Sequence, residues 1–236
     1  MKYAVDLHIH SALSPCAGDE MTPNNIVNMA VLKGLDAIAV TDHNSAANAA
    51  AVSMCAKRQG LLFIPGMEVE TSEEVHMVCL MPDLTSMDEF RRRVELSLPG
   101  LDNRPDIFGR QLIIDENDDV VGEEPRMLLT ATSLSIDEVA VLAAELKGAA
   151  IPAHIDRQSY SIISNLGFIP KELDIKYLEI SKLCDGPLFR SSRQDLDRYH
   201  FIRSSDAHNL GDILERESFL ELDELSAEAV IRKLTS

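Results

Sequence analysis

Positive charge is scarce in this sequence. Lys and Arg number 22 against 39 Asp and Glu, so the 236 residues carry a formal charge of −17 with neutral histidines. Such an excess of carboxylate opposes broad adhesion to a nucleic-acid backbone or an anionic leaflet, so no extended nucleic-acid surface is expected. Any anionic ligand needs a localised positive site, and bound metal ions could supply one. Long apolar runs are missing too: none approaches the ~20 residues of a spanning helix. Met1 to Asp6 lacks the apolar stretch and cleavage site of a signal peptide, so the expectation is a cytoplasmic protein with no membrane partner. Cys16, Cys55, Cys79 and Cys184 lie far apart with no C-x-x-C pair, which favours reduced thiols over a disulfide framework. There is no internal repeat.

What is present reads as one packed core. Hydrophobic residues make up 45% and charged residues 26%, near the globular average, and the length suits a single α/β domain over 1–236. Apolar runs at Tyr3 to Leu7, Asp36 to Thr41, Leu61 to Pro65, Val75 to Met81, Ala149 to Ala153, Lys176 to Ile180 and His200 to Arg203 predict strands. Helical spacing fills Pro23 to Gly34, with Pro at the first turn and Gly at the end. The Ala-rich stretch Ser45 to Gly60 predicts a second helix. Ser86 with Glu89, and Ser135 with Glu138, form capping boxes that predict two more, and a last amphipathic helix follows Ser226. Alternation of this kind favours a parallel sheet, doubly wound or closed as a barrel. Residues 101–133 break the rhythm: Gln111 to Asp115 and Asp119 to Gly122 predict a hairpin, read either as a surface excursion or as a flap over an active site.

The histidines are the most informative feature. His8 and His10 end the first strand run, His43 ends the second, His154 and His208 follow later runs, and His76 lies within one. Residues i and i+2 of a strand share a face, so His8 and His10 can converge on one cation. Strand ends of a barrel gather at one rim, which would bring the other histidines together with Asp42, Glu68 and Asp206. Imidazole with carboxylate suits zinc, manganese or iron, and a carboxylate can bridge two ions. A single strand-end histidine is more often structural, but repetition at successive strand ends is not. His200 begins its run and reads as structural. The cysteines read as structural as well, although Cys16 lies in the probable ligand loop and could approach a metal. Asp42 is open between a structural hydrogen bond and an acceptor that orients a ligand histidine.

The motifs Asp6-Leu7-His8-Ile9-His10-Ser11, Thr41-Asp42-His43, Gly66-Met67-Glu68, Val75-His76, Ala153-His154 and Ser205-Asp206-Ala207-His208 resemble the ordered motifs of the polymerase-and-histidinol-phosphatase (PHP) superfamily across residues 3 to 210. The resemblance implies a distorted (β/α)7 barrel with two or three divalent ions (Mn, Zn or Fe) at the C-terminal strand ends. The usual chemistry is phosphoester hydrolysis. Carried over by position, His8 and His10 would hold one ion with Asp206, and Glu68 would bridge it to a second held by His76 and His154. His43 and His208 would hold a third. The family pattern has an acidic or histidine residue soon after H-x-H-S; the loop here, Ser14 to Glu20, is longer, so Asp19 is the implied ligand and Glu20 its rival. Ser14-Pro15-Cys16, Phe108-Gly109-Arg110-Gln111 and Ala153 to Arg157 resemble a stand-alone subgroup near phosphatases of nucleoside monophosphates and 3′,5′-bisphosphates.

A small phosphorylated substrate, in particular a nucleotide, is therefore the expected partner. Arg157 and Lys182 are the candidate phosphate contacts from their placement; Arg104 and Arg110 are assigned to the surface. Three rivals stand beside a metal-dependent phosphatase: an amidohydrolase-type barrel, an exonuclease on short oligonucleotides, and a metal-binding regulator without turnover.

Overall fold

Short apolar runs separated by helices build a curled wall. The computed structural model describes residues 1–236. β1 (Lys2–Asp6), α1 (Pro23–Leu32), β2 (Ala37–Val40), α2 (Ala49–Gln59) and β3 (Leu62–Glu70) form two parallel strand–helix–strand units. Thr22 caps α1 by accepting from Asn25 N, Pro23 occupies the first turn, and Gly60 ends α2 with φ 70°. The inner faces of these helices meet through Ile26, Val27, Ala30, Val52 and Cys55. Each of the larger aliphatic groups contributes about 1.5–3 kcal/mol by leaving water.

β4 (His76–Leu80) departs from the expected parallel sheet. Only residues 71–75 join it to β3, too few for a crossover, so the pair is an antiparallel hairpin with Glu70 opposite His76. That reversal brings the start of β4 to the rim where β3 ends. β3 also changes partners at Pro65 and Gly66: residues up to Pro65 pair with β2, and from Gly66 onward with β4. A Cβ on Gly66 would stand 2.5 Å from Thr41 Cγ2, so the closeness of the bend requires glycine.

α3 (Leu84–Ser97) buries Met87, Phe90 and Val94. Its cap is Asp83, whose carboxylate accepts from Ser86 N, and not the predicted Ser86–Glu89 box: a charged acceptor three residues earlier starts the helix sooner. After α4 (Pro105–Phe108) comes the predicted hairpin, β5 (Leu112–Ile114) and β6 (Val120–Glu123). It packs against the loop after β1. Leu112 and Ile114 bury Ala12, Asn48 bonds both Leu112 O and Ile114 N, and Gly109, at φ 98°, lies so close to Pro15 O that a Cβ would be 2.3 Å from it. α5 (Ile136–Glu145) carries both legs of the Ser135–Glu138 capping box.

β7 (Ala149–Pro152) runs antiparallel to β4. α6 (Ile162–Leu166) leads to β8 (Tyr177–Ile180), and α7 (Gly186–Ser192) to β9 (His200–Arg203), parallel to β8. β10 (Phe219–Glu221) lies antiparallel to β1, and α8 (Ala227–Thr235), capped by Ser226, covers an apolar cluster that includes Val5, Ala37, Ile64 and Ile151. The wall nearly closes on itself. Ile155 N donates to Glu179 O at 2.9 Å to join β7 to β8, and a parallel bridge between Ile9 and Ala207 returns from β9 to β1. Buried Asp6 tightens that seam, accepting from Ser205 N at 3.0 Å and Leu214 N at 2.9 Å. The α/β class with a barrel-like sheet is borne out, but with β4 and β10 antiparallel rather than a uniformly parallel wall.

Candidate active site

The rim gathers the histidines around Glu68. Its Oε1 lies 3.2 Å from His8 Nε2, 3.0 Å from His76 Nδ1 and 3.2 Å from His154 Nε2. Its Oε2 lies 2.9 Å from His43 Nδ1 and 3.5 Å from His10 Nε2. Asp206 Oδ1 completes the floor at 3.0 Å from His10 Nε2, and the His208 ring stands 4.3 Å from that of His10. Left-handed backbone just past the strands, at Asn44 (φ 48°), His154 (φ 30°) and Asp206 (φ 51°), turns the chain sharply at this rim.

The hydrogen bonds fix His10. Ser14 Oγ donates to Asp42 Oδ1 at 2.7 Å, so it accepts from His10 Nδ1–H at 3.0 Å, leaving His10 Nε2 a bare lone pair. Asp42 thus orients a rim histidine through Ser14, while also accepting from Ser11 N and Oγ. His8 Nδ1 is held by both oxygens of Glu179, at 2.9 and 3.1 Å, and Glu179 also accepts from His154 N. His8 Nε2 then faces His10 Nε2 at 3.1 Å. Two imidazole nitrogens at that separation require a positive species between them, either a proton on His8 or a cation.

The titration behaviour agrees. Burial would lower His8, but the carboxylates of Glu179, Glu68 and Asp206 outweigh it and hold the ring well above its ordinary value. Burial and neighbouring His43 push His10 down to about 3. Burial would raise Glu68, yet His76, His8 and His43 hold it well below the usual carboxylate range; burial would raise Asp206 too, and the charge on His8 holds it low. Burial would raise the Cys16 thiol, but His208 and His43 bring it to about 7. His154 Nδ1 is buried without a hydrogen-bond partner, and Glu68 Oε2, although 2.9 Å from His43 Nδ1, has no donor aligned with it. Three overlapping sets of donors, His8–His10–Glu68, His43–Glu68–His76 and His10–His43–His208, each lie within 4.8 Å of one another. Clustered nitrogen and carboxylate donors with free lone pairs fit divalent cations of the zinc, manganese or iron kind.

Eight of the nine expected ligands are thus gathered. Asp19 is not: it is exposed, with Arg110 the cation nearby, and Glu20 is exposed too. Cys16 occupies the cavity wall instead. Arg157 lines a cavity of about 310 Å³ above the cluster, its Nη1 2.5 Å from Asp206 Oδ2. Lys182 lines an adjoining cavity of about 390 Å³, also bordered by Arg157, and donates to Asp212 O at 2.8 Å. Arg104 pairs with Asp106 and Arg110 with Glu123 on the surface, and His200 packs on Tyr177 away from the rim. Within 101–133, Leu129 alone reaches the cavity wall.

Sequence reasoning missed Glu179 and Tyr160. A lone carboxylate inside the run Tyr177 to Ile180, every residue of which is buried, was the available signal for Glu179. Tyr160, stacked on His76 with centroids 4.7 Å apart, has no comparable signal.

The PHP domain family model matches residues 6–157. A 3′,5′-nucleoside bisphosphate phosphatase of Chromobacterium violaceum is 34% identical over 74 residues, which are 31% of this chain and 25% of that protein. The match thus spans only a quarter of the curated relative's length. Among solved structures, the lesion-specific endonuclease Q of Pyrococcus furiosus aligns with a TM-score of 0.70 and 23% identity, covering 100% of this chain and 56% of its own. The chain therefore spans about half of that enzyme. An amidohydrolase from Chromobacterium violaceum aligns with a TM-score of 0.61 and 18% identity, over 92% of this chain and 91% of its own. At these identities the likeness to the solved structures is one of fold.

Proposed function

The chain belongs to the PHP domain family of metal-dependent hydrolases, and we propose that it is a metal-dependent phosphatase of small phosphate esters, nucleoside monophosphates or 3′,5′-bisphosphates in particular. One observation carries this reading: a single buried carboxylate, Glu68, stands among His8, His10, His43, His76 and His154 at the floor of a cavity with Arg157 in its wall. His8, His10 and Asp206 would hold one ion, Glu68 would bridge to a second on His76 and His154, and His43 with His208 would hold a third. Such ions, when bound, activate water as a nucleophile near neutral pH and neutralise the non-bridging oxygens of phosphate.

The remaining work falls to the chain. Arg157 has the reach and the planar fork to take two phosphate oxygens, exchanging its contact with Asp206 for the ester. Lys182, in the adjoining cavity, is placed for a second anionic group on the same substrate. The bonds of Ser14 to His10 and of Glu179 to His8 fix which ring nitrogen faces Glu68 and Asp206. A small ester also suits a chain of charge −17 better than an extended polyanion does.

The test is to strip the protein of metal, reconstitute it with Mn²⁺, Zn²⁺ or Fe²⁺, and measure phosphate released from mononucleotides, 3′,5′-bisphosphates and short oligonucleotides, with amides in parallel. Release from the first two is expected; turnover of amides alone, or of nothing under any metal, rejects the proposal. Glu179→Gln removes a charged acceptor without changing its shape, and metal affinity should fall about 10–100-fold. Competition against a chelating dye reads this directly, and an unchanged affinity would reduce Glu179 to packing.

A further inference from the structure

The sequence between Ser14 and Gly18 is clamped from both ends. Ser14 N donates to Ser11 O, and Ser14 Oγ receives His43 N at 3.2 Å while donating to Asp42; Gly18 N donates to His208 O at 2.9 Å. One end of this short turn is therefore fixed to the strand end bearing His43, and the other to the segment bearing His208. Cys16, midway between the clamps, is exposed and lines the cavity together with both imidazoles. Beneath the turn, Gly109 packs on Pro15 and Leu112 N donates to Ala12 O, so residues 101–133 brace the turn from outside. Asp19 and Glu20, three and four residues beyond the apex, are exposed like Cys16 but do not line the cavity.

We infer that Cys16 is a thiolate ligand, with His43 and His208, of the outermost cation, in the position that Asp19 or Glu20 would have filled by order along the chain. This rests on the metal-dependent reading above. A sulfur donor changes the chemistry of the site: thiolate with imidazoles favours zinc or ferrous iron over manganese or magnesium, which prefer oxygen. The outer site is then selective for a thiophilic ion, whereas the inner positions around Glu68, His8 and His10 offer only nitrogen and oxygen.

Cobalt(II) provides a readout that does not depend on turnover. Metal-free protein is titrated with Co²⁺ and followed by absorption and by elemental analysis. The wild type should develop a thiolate-to-cobalt charge-transfer band in the near ultraviolet. Cys16→Ser should lack that band and hold about one ion fewer per chain, while keeping the visible bands of nitrogen- and oxygen-bound cobalt, which also report that it is folded. Asp19→Asn and Glu20→Gln should retain the charge-transfer band and the full ion content. Cobalt bound by the wild type without the band, or lost from Asp19→Asn instead of Cys16→Ser, overturns the assignment and leaves the metal site standing. A wild-type protein that binds no cobalt overturns both.

Discussion

Glu68→Gln should leave a folded protein that holds fewer metal ions and releases phosphate at least about 10³-fold more slowly, equivalent to about 4 kcal/mol of transition-state stabilisation. The amide keeps the shape of the side chain, so packing in the barrel mouth is preserved. The charge is what disappears. Glu68 is the anion for His8, His76 and His154 through one oxygen and for His43 and His10 through the other, and an amide cannot bridge cations. Its –NH₂ would also turn donor protons toward imidazole nitrogens that need to be free. Elemental analysis after reconstitution measures the ion content, phosphate release measures the rate, and a urea transition confirms the fold. Full ion content at an undiminished rate would make Glu68 a structural acceptor.

Asp6→Ala should destabilise the protein by roughly 2–6 kcal/mol, because Ser205 N and Leu214 N would each be left buried without an acceptor at about 1–3 kcal/mol apiece. Asp6 itself is fully buried. The damage extends to the site, since Ser205 directly precedes Asp206 and its hydroxyl donates to His8 O. The midpoint of urea unfolding should fall with an unchanged slope. Asp6→Asn, which retains one acceptor oxygen, should lose about half as much. A shift below about 0.5 kcal/mol, the range of ordinary surface substitutions, would mean that both amides find other partners.

Much of this arrangement was legible in the chain. The strands at 149–152, 177–180 and 200–203 coincide with apolar runs, because such runs have few other ways to be buried. The Ser135–Glu138 box forms as read, whereas Ser86–Glu89 does not, since a pattern of two residues cannot exclude a stronger cap at Asp83. The reversal of β4 depended on the brevity of 71–75, and β10, three residues long, carries too little periodicity to be seen. At the rim, the histidines announced themselves by position. Glu179 was marked only as a lone carboxylate in an apolar run, with no motif around it. The residue that the loop after β1 presents to His43 and His208 depends on where Ser14 and Gly18 are tied, which spacing alone does not reveal.

The seam at Asp6 also bears on how the molecule is made. Its partners Ser205 and Leu214 lie 199 and 208 positions further along. At a synthesis rate of about 5–20 residues per second, β1 leaves the ribosome roughly 10–40 s before they do. Throughout that interval the nascent chain has His8 and His10 but no Asp206 to face them, and one edge of β1 has no neighbour. The position of Asp206 beside His10 is therefore completed only after most of the chain has been made, and a nascent chain stalled before Ser205 would present an open edge to chaperones or to other copies of itself.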